Sequence, residues 1–293
     1  MTRRRHPAAA PPADVPSAAM HAPDTTSSYA RRELVLAAVL LAAMARLVEP
    51  SDAFLVAGLL PIVILVAGVA IVGGDGTAGR PFEALLIPAV LTGGAAAAIQ
   101  LVPVGLGLVP YLAGFALLLD RTLLLEMRLL AQPGGATDAD RARLLLAAVI
   151  AAFVAFTGIA VLVPGGLAEP GGTASGAGVA LTQVWLVVLA VDDALVALLL
   201  GYRVATFRYG TARDAARSAL TYAIVVAVAA GALRAIDLPR LVGPAALTLV
   251  FYLWDAFHAT APARRREPRF LWETILLVVL AVVVVAWNVR LAA

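Results

Sequence analysis

The sequence predicts an all-α fold: a polytopic transmembrane helical bundle of about nine spans, with the N-terminus inside and the C-terminus outside. Three observations carry that expectation. Of 293 residues, 62% are hydrophobic and only 14% are charged, where a soluble domain would have roughly 25% charged. The mean hydropathy is +0.93, and apolar runs of about 20 residues, long enough to cross a bilayer core, recur through the chain. The 22 basic residues, all arginine, also fall unevenly between alternate connections. With the N-terminus inside, 18 lie on the inner side and 4 on the outer side, which is the positive-inside pattern.

Residues 1–29 are rich in Pro, Ala and Ser, with Arg3, Arg4, Arg5, His6 and His21 among them. They lack apolar periodicity and read as a disordered cytoplasmic tail. Prolines interrupt any run that would serve as the core of a secretory signal. Residues 30–293 read as one transmembrane helical domain. Its spans lie near 32–49, 53–73, 82–101, 103–122, 144–163, 179–202, 218–236, 241–260 and 270–290. The first has an uninterrupted apolar core only over Leu34–Ala45, and Arg46 can snorkel to extend it. The fourth continues past Asp120 as DRTLLLEMRLL, an amphipathic end suited to the interface. The arginine-free segment Pro164–Gly178 reads as a flexible outer linker. Pro61, Pro88, Pro110 and Pro244 fall within spans, and with Gly93 and Gly94 they permit kinks and close helix approach. Trp185, Trp254, Trp272 and Trp287 fall toward span ends, as interface anchors do. The alternation leaves no room for a soluble catalytic domain.

Composition also removes function classes. There is no cysteine, hence no disulfide, thiolate zinc site or thiol nucleophile. The pI near 9.7 does not imply nucleic acid, because the arginines sit in the connections and orient the spans. No metal or organic cofactor is implied. The expected partners are the lipid bilayer and a small-molecule or ion substrate. The absence of lysine and the Ala/Gly/Pro-rich composition fit a GC-rich bacterium, and the expected location is its cytoplasmic (inner) membrane.

Two short strings resemble known motifs. Gly73–Thr77 spells GGDGT, which resembles the phosphate-binding loop of diacylglycerol and NAD kinases. That loop follows a β-strand and opens a helix in a soluble α/β domain, where backbone N–H groups cradle phosphate. Here a membrane span precedes it, so the string reads as an inner-side turn. TASG, with Ser175, resembles the GxSG of rhomboid-type intramembrane serine proteases, but Thr173 replaces the first glycine. Its only non-tail histidine, His258, is expected near the opposite face, out of hydrogen-bond reach.

The candidate site is a layer of ionisable residues inside the spans: Asp120, Arg121, Asp192, Asp193, Asp255 and His258. Counting the helical rise from the outer side puts Asp192 and Asp255 about 20 Å deep and Asp120 about 25 Å deep. All then lie in the cytoplasmic third of a core ~30 Å thick. Ionisable groups at such depth are expensive unless paired or hydrated, and they mark pathways or interhelical staples. Asp192 and Asp193 point about 100° apart, so only one can face the bundle interior. Arg121 stands at a level suited to pair with one of them. Arg203, eleven residues after Asp192, returns to nearly the same face. Asp255 and His258 share a face, as a proton relay would require. The layer favours a transporter- or permease-like role. The alternatives are a lipid-modifying enzyme, with the acids holding Mg²⁺ or acting as bases, and a non-catalytic assembly subunit.

Overall fold

The computed structural model describes residues 25–48, 50–72, 81–131, 137–167, 183–234 and 241–260, with parts of 267–283. These are helical and contain no strand. The helices are α1 (Thr25–Ala45), α2 (Pro50–Val72), α3 (Pro81–Ala84), α4 (Leu86–Ala98), α5 (Leu108–Ala131), α6 (Asp138–Leu162), α7 (Gln183–Ala205), α8 (Ala212–Arg234) and α9 (Val242–Ala259). A 3-10 turn, Ile99–Leu101, closes α4. Stretches of 268–279 are also helical. The GGDGT and TASG strings lie outside the described residues, as does most of the ninth expected span.

Five segments are long and apolar enough to cross a membrane: Pro81–Leu101, Leu108–Ala131, Asp138–Leu162, Gln183–Ala205 and Ala212–Leu233. A sixth apolar stretch, Leu55–Ala70, is shorter. The first helix carries Arg31, Arg32 and Glu33 next to its apolar core, and α9 is 18 residues long with Asp255 and His258 inside it.

Several helices run further than hydropathy predicts. The first begins at Thr25, inside the stretch read as tail. The fifth runs past the span limit of 122 to Ala131, through the amphipathic end expected from DRTLLLEMRLL. The sixth begins at Asp138 instead of 144. Hydropathy marks where the apolar core stops, while the Leu, Glu, Met, Arg and Ala residues of the flanking segments are good helix formers that extend past it. The start of α6 is fixed locally. Thr137 Oγ1 accepts the Asp140 N–H (3.2 Å) and the Asp140 carboxylate accepts the Thr137 N–H (3.3 Å), a capping box that satisfies donors the first turn would leave free. The third expected span is broken at Leu85. Pro88 has no N–H to reach the carbonyl of Ala84, so α3 and α4 are separate.

The centre of the bundle is α4. Every residue from Leu86 to Ala98 is buried, and α1, α2, α5, α6 and α7 pack around it. Its sequence, LIPAVLTGGAAAA, suits this place because small side chains let neighbouring backbones approach. Its one hydroxyl, Thr92, donates to the Pro88 carbonyl at 2.7 Å. Gly93 meets Pro61 of α2: a Cβ there would lie 2.6 Å from Pro61 Cγ and 3.1 Å from the Ala57 carbonyl oxygen. That carbonyl is the one Pro61 cannot bond within its own helix. The outward faces are apolar at helical spacing, with Leu36, Leu40 and Met44 exposed on α1, Leu55, Leu59, Ile62 and Val66 on α2, and Val184, Val187, Val191 and Leu195 on α7. Such stripes would be liabilities in water and are ordinary against lipid.

Candidate functional site: one ionisable end of the bundle

The ion pairs that join different helices gather toward one end. This end collects the start of α1, α3, the last turns of α5, the start of α6, the end of α7, the start of α8 and the end of α9. Polar contacts tie these elements to one another. On α1, Arg31 Nε lies 3.0 Å from Asp120 Oδ1 of α5, an ion pair without hydrogen-bond geometry. Tyr202 on α7 donates to Glu83 of α3 at 2.9 Å. Arg203 on α7 makes a two-point pair with Glu126 on α5: Nε reaches Oε1 at 3.1 Å and Nη2 reaches Oε2. Both partners are buried, at 5% and 2% exposure. The Arg203 guanidinium also lies over the Phe207 ring, 4.5 Å from its centroid, and donates to Thr206 Oγ1 at 3.2 Å.

The second cluster joins α8 and α9 to the turn after α7. Asp255 is fully buried. Its Oδ1 accepts from Arg208 Nη2 at 2.6 Å and from the Tyr222 hydroxyl at 2.7 Å, and Arg208 Nη1 donates to that hydroxyl at 3.0 Å. Burial alone would lower the Arg208 pKa. The Asp255 carboxylate and Tyr222 outweigh it and hold the guanidinium above its ordinary value, so Arg208 is a cation throughout. Asp255 Oδ2 is also buried and accepts no hydrogen bond among the described residues. His258 sits one turn on, its Nδ1 3.0 Å from the Trp254 carbonyl and its ring between Trp254 (4.7 Å between centroids) and Tyr222 (6.0 Å). Trp254 Nε1 donates to Thr221 Oγ1 at 3.0 Å. This tryptophan therefore closes the α8–α9 seam, a use its position near a span end did not reveal.

The six sequence-derived candidates fall in four places. Asp255 and His258 share the α8–α9 cluster. Asp120 belongs to the Arg31 pair. Arg121, next in the chain, faces a different way and lines a cavity between α5 and α6. Of the adjacent aspartates, Asp193 is buried at 1% exposure and Asp192 is half-buried. The sequence offered Arg203 as a neighbour of Asp192, but its partner is Glu126. Arg121 makes no ion pair with either aspartate among the described residues. Glu126, Arg208 and Tyr222 were not foreseen. Glu126 reads as part of an amphipathic end, Arg208 as one orienting charge among several, and Tyr222 as one more large residue in an apolar run. A polar cavity of about 340 Å³ opens beside the first cluster, lined by Glu83, Arg203, Thr206, Tyr209 and Thr211 among others.

No protein-family model, curated protein or solved structure matches the chain. The class stands on its own features: a helical protein with several helices suited to a membrane and a buried ionic layer at one end.

Proposed function

We propose that this chain is a multi-pass protein of a bacterial cytoplasmic membrane, with nine spans, N-terminus in and C-terminus out. In it, the ionisable end faces the cytoplasm and serves a permease-like role. Asp255 is the ion- or proton-responsive group. The observation that carries this reading is the asymmetry of the Asp255 carboxylate: Oδ1 takes two donors while the buried Oδ2 takes none among the described residues. Buried polar atoms are nearly always satisfied, so an unpartnered one in the interior is a position that a water, a proton or a small cation can fill. A small cation at Oδ2 would compete with Arg208 for the carboxylate's charge. That gives two states of the α7–α8 turn, coupled to occupancy. His258 lies on the same face of α9, one turn further along.

The test is flux in proteoliposomes carrying an internal pH dye, across a panel of small solutes. Wild type should move protons or cations with at least one solute. Asp255→Asn should abolish that movement while eluting as the same species in detergent, and the exposed Arg217→Gln should not. Solute-independent dye traces identical to empty vesicles would overturn the reading.

A second reading, a non-catalytic membrane subunit, draws on the Arg203–Glu126 and Arg31–Asp120 pairs. These join helices with the charges facing one another, as staples would.

A further inference from the structure

Between α5 and α6 lies a cavity of about 490 Å³ with a chemistry of its own. Its α5 wall carries Leu118, Arg121, Leu125 and Arg128, spaced so that all share one helix face. Its α6 wall carries Arg143 and Ile150, and Leu91 of α4 lies at the back. Arg128 stands three residues before the end of α5 and Arg143 five residues after the start of α6, so both are at the ionisable end. Arg121 lies about 10 Å further along the α5 axis.

The charges are unbalanced. Three arginines and one carboxylate line the cavity, and that carboxylate, Asp140, already accepts from Thr137 Oγ1 at 2.6 Å and from Arg143 at 3.3 Å. Neither Arg121 nor Arg128 makes a hydrogen bond or ion pair among the described residues, and both are exposed. The groove thus joins an unneutralised cationic mouth to a leucine-lined wall. An ordinary ion pair needs no such wall, and a free anion gains nothing from it.

We infer that the α5–α6 groove is a binding site for an anionic phospholipid, its phosphate held by Arg121, Arg128 and Arg143 and an acyl chain laid along Leu118, Leu125 and Ile150. Basic pockets between membrane helices on the cytoplasmic side suit such headgroups, and guanidinium groups bind phosphate through paired donors. The inference rests on the membrane placement proposed above and is independent of transport.

The test is native mass spectrometry of the full chain released from nanodiscs of equimolar phosphatidylglycerol and phosphatidylcholine. Wild type should retain phosphatidylglycerol in clear excess over phosphatidylcholine. Each Arg→Gln change at 121, 128 and 143 should reduce that preference about fivefold, and the triple variant should return it to the bulk ratio. The triple Arg→Lys variant keeps the charge and should keep a preference even if the glutamine triple folds poorly. Arg217→Gln, on the exposed start of α8, should behave as wild type. Excess inorganic phosphate should leave the lipid bound, and its displacement by phosphate alone would overturn the lipid assignment. So would equal retention of both lipids by wild type, or undiminished preference in the glutamine variants. Failure of the chain to enter nanodiscs at all would overturn the membrane placement and the lipid site together, a result distinct from entry without selectivity.

Discussion

Gly94 of α4 lies against the backbone of Ala155 on α6, so close that a Cβ on Gly94 would stand 2.5 Å from Ala155 Cα and 2.7 Å from Ala155 N. The approach is reciprocal. A Cβ on Gly158, one turn on along α6, would meet the Gly94 carbonyl oxygen at 2.6 Å. Both obstacles are backbone or a short side chain, so neither can swing aside. Gly94→Ala should therefore destabilise the protein by about 1–3 kcal/mol, the usual effect of overpacking. Gly231→Ala on α8, where a Cβ would meet nothing within 4 Å, should be neutral or mildly stabilising through helix propensity. Thermal unfolding in one detergent compares the two. Equal midpoints would mean the α4–α6 crossing is looser than these distances require.

The Arg203–Glu126 pair links the ends of α5 and α7 with both charges removed from water. Removing one partner leaves the other uncompensated. Arg203→Met or Glu126→Gln should each lower stability by about 3–5 kcal/mol, and the double variant should recover part of the loss. A double-mutant cycle read by chemical denaturation gives the coupling directly. Additive losses would show that the two charges are not partners in the membrane-embedded protein.

These two contacts mark where sequence reading stops. Gly93-Gly94 reads as a site of close packing, because only glycine has no Cβ, and α4 uses it so. Asp192, Asp193 and Asp255 stand out because they interrupt long apolar runs, but the sequence does not say which of the adjacent pair turns inward. Their partners depend on how each helix is rotated about its own axis and which neighbours it meets. Periodicity fixes a face but not what lies opposite, so Arg203 was matched to Asp192 on its own helix while its true partner stood on α5. Arg208 illustrates the same limit. In the sequence it is one of four arginines in a connection, and only the fold of the α7–α8 turn brings it onto Asp255. The early start of α6 escaped for another reason. Hydropathy reports solvent preference, and helix continuity past the bilayer is set by propensity and capping.

Tyr222 serves Asp255 as donor and Arg208 as acceptor at the same atom. Tyr222→Phe removes both bonds and keeps the ring that packs at 5.4 Å from Phe251. The expected loss is about 1.5–3 kcal/mol, the range for a hydrogen bond to a charged group. Tyr222→Leu should lose more, since it also removes the ring contact. Thermal unfolding of the two variants separates the hydroxyl from the ring. A Phe variant as stable as wild type would show that Arg208 alone satisfies Oδ1.

Asp192 and Asp193 are adjacent in sequence and differ in environment, and α7 itself explains why. Its buried stripe runs Leu189, Asp193, Ala197, Leu200 and Val204, the i, i+4, i+8, i+11, i+15 spacing of one helix face. Asp192 is about 100° away, on a half-buried flank beside the exposed Val191 and Leu195. Asp193→Ala therefore alters a side chain in the packed interior, where substitutions typically cost about 0.5–3 kcal/mol. Asp192→Ala should change stability by less than about 0.5 kcal/mol, as substitutions away from packed or networked sites do. Asp193→Asn keeps the shape and an acceptor while removing the charge, and should fall between. Unfolding midpoints of the three variants in the same detergent decide the matter. If Asp192→Ala proved as damaging as Asp193→Ala, the stripe on α7 would not be the face that meets the bundle.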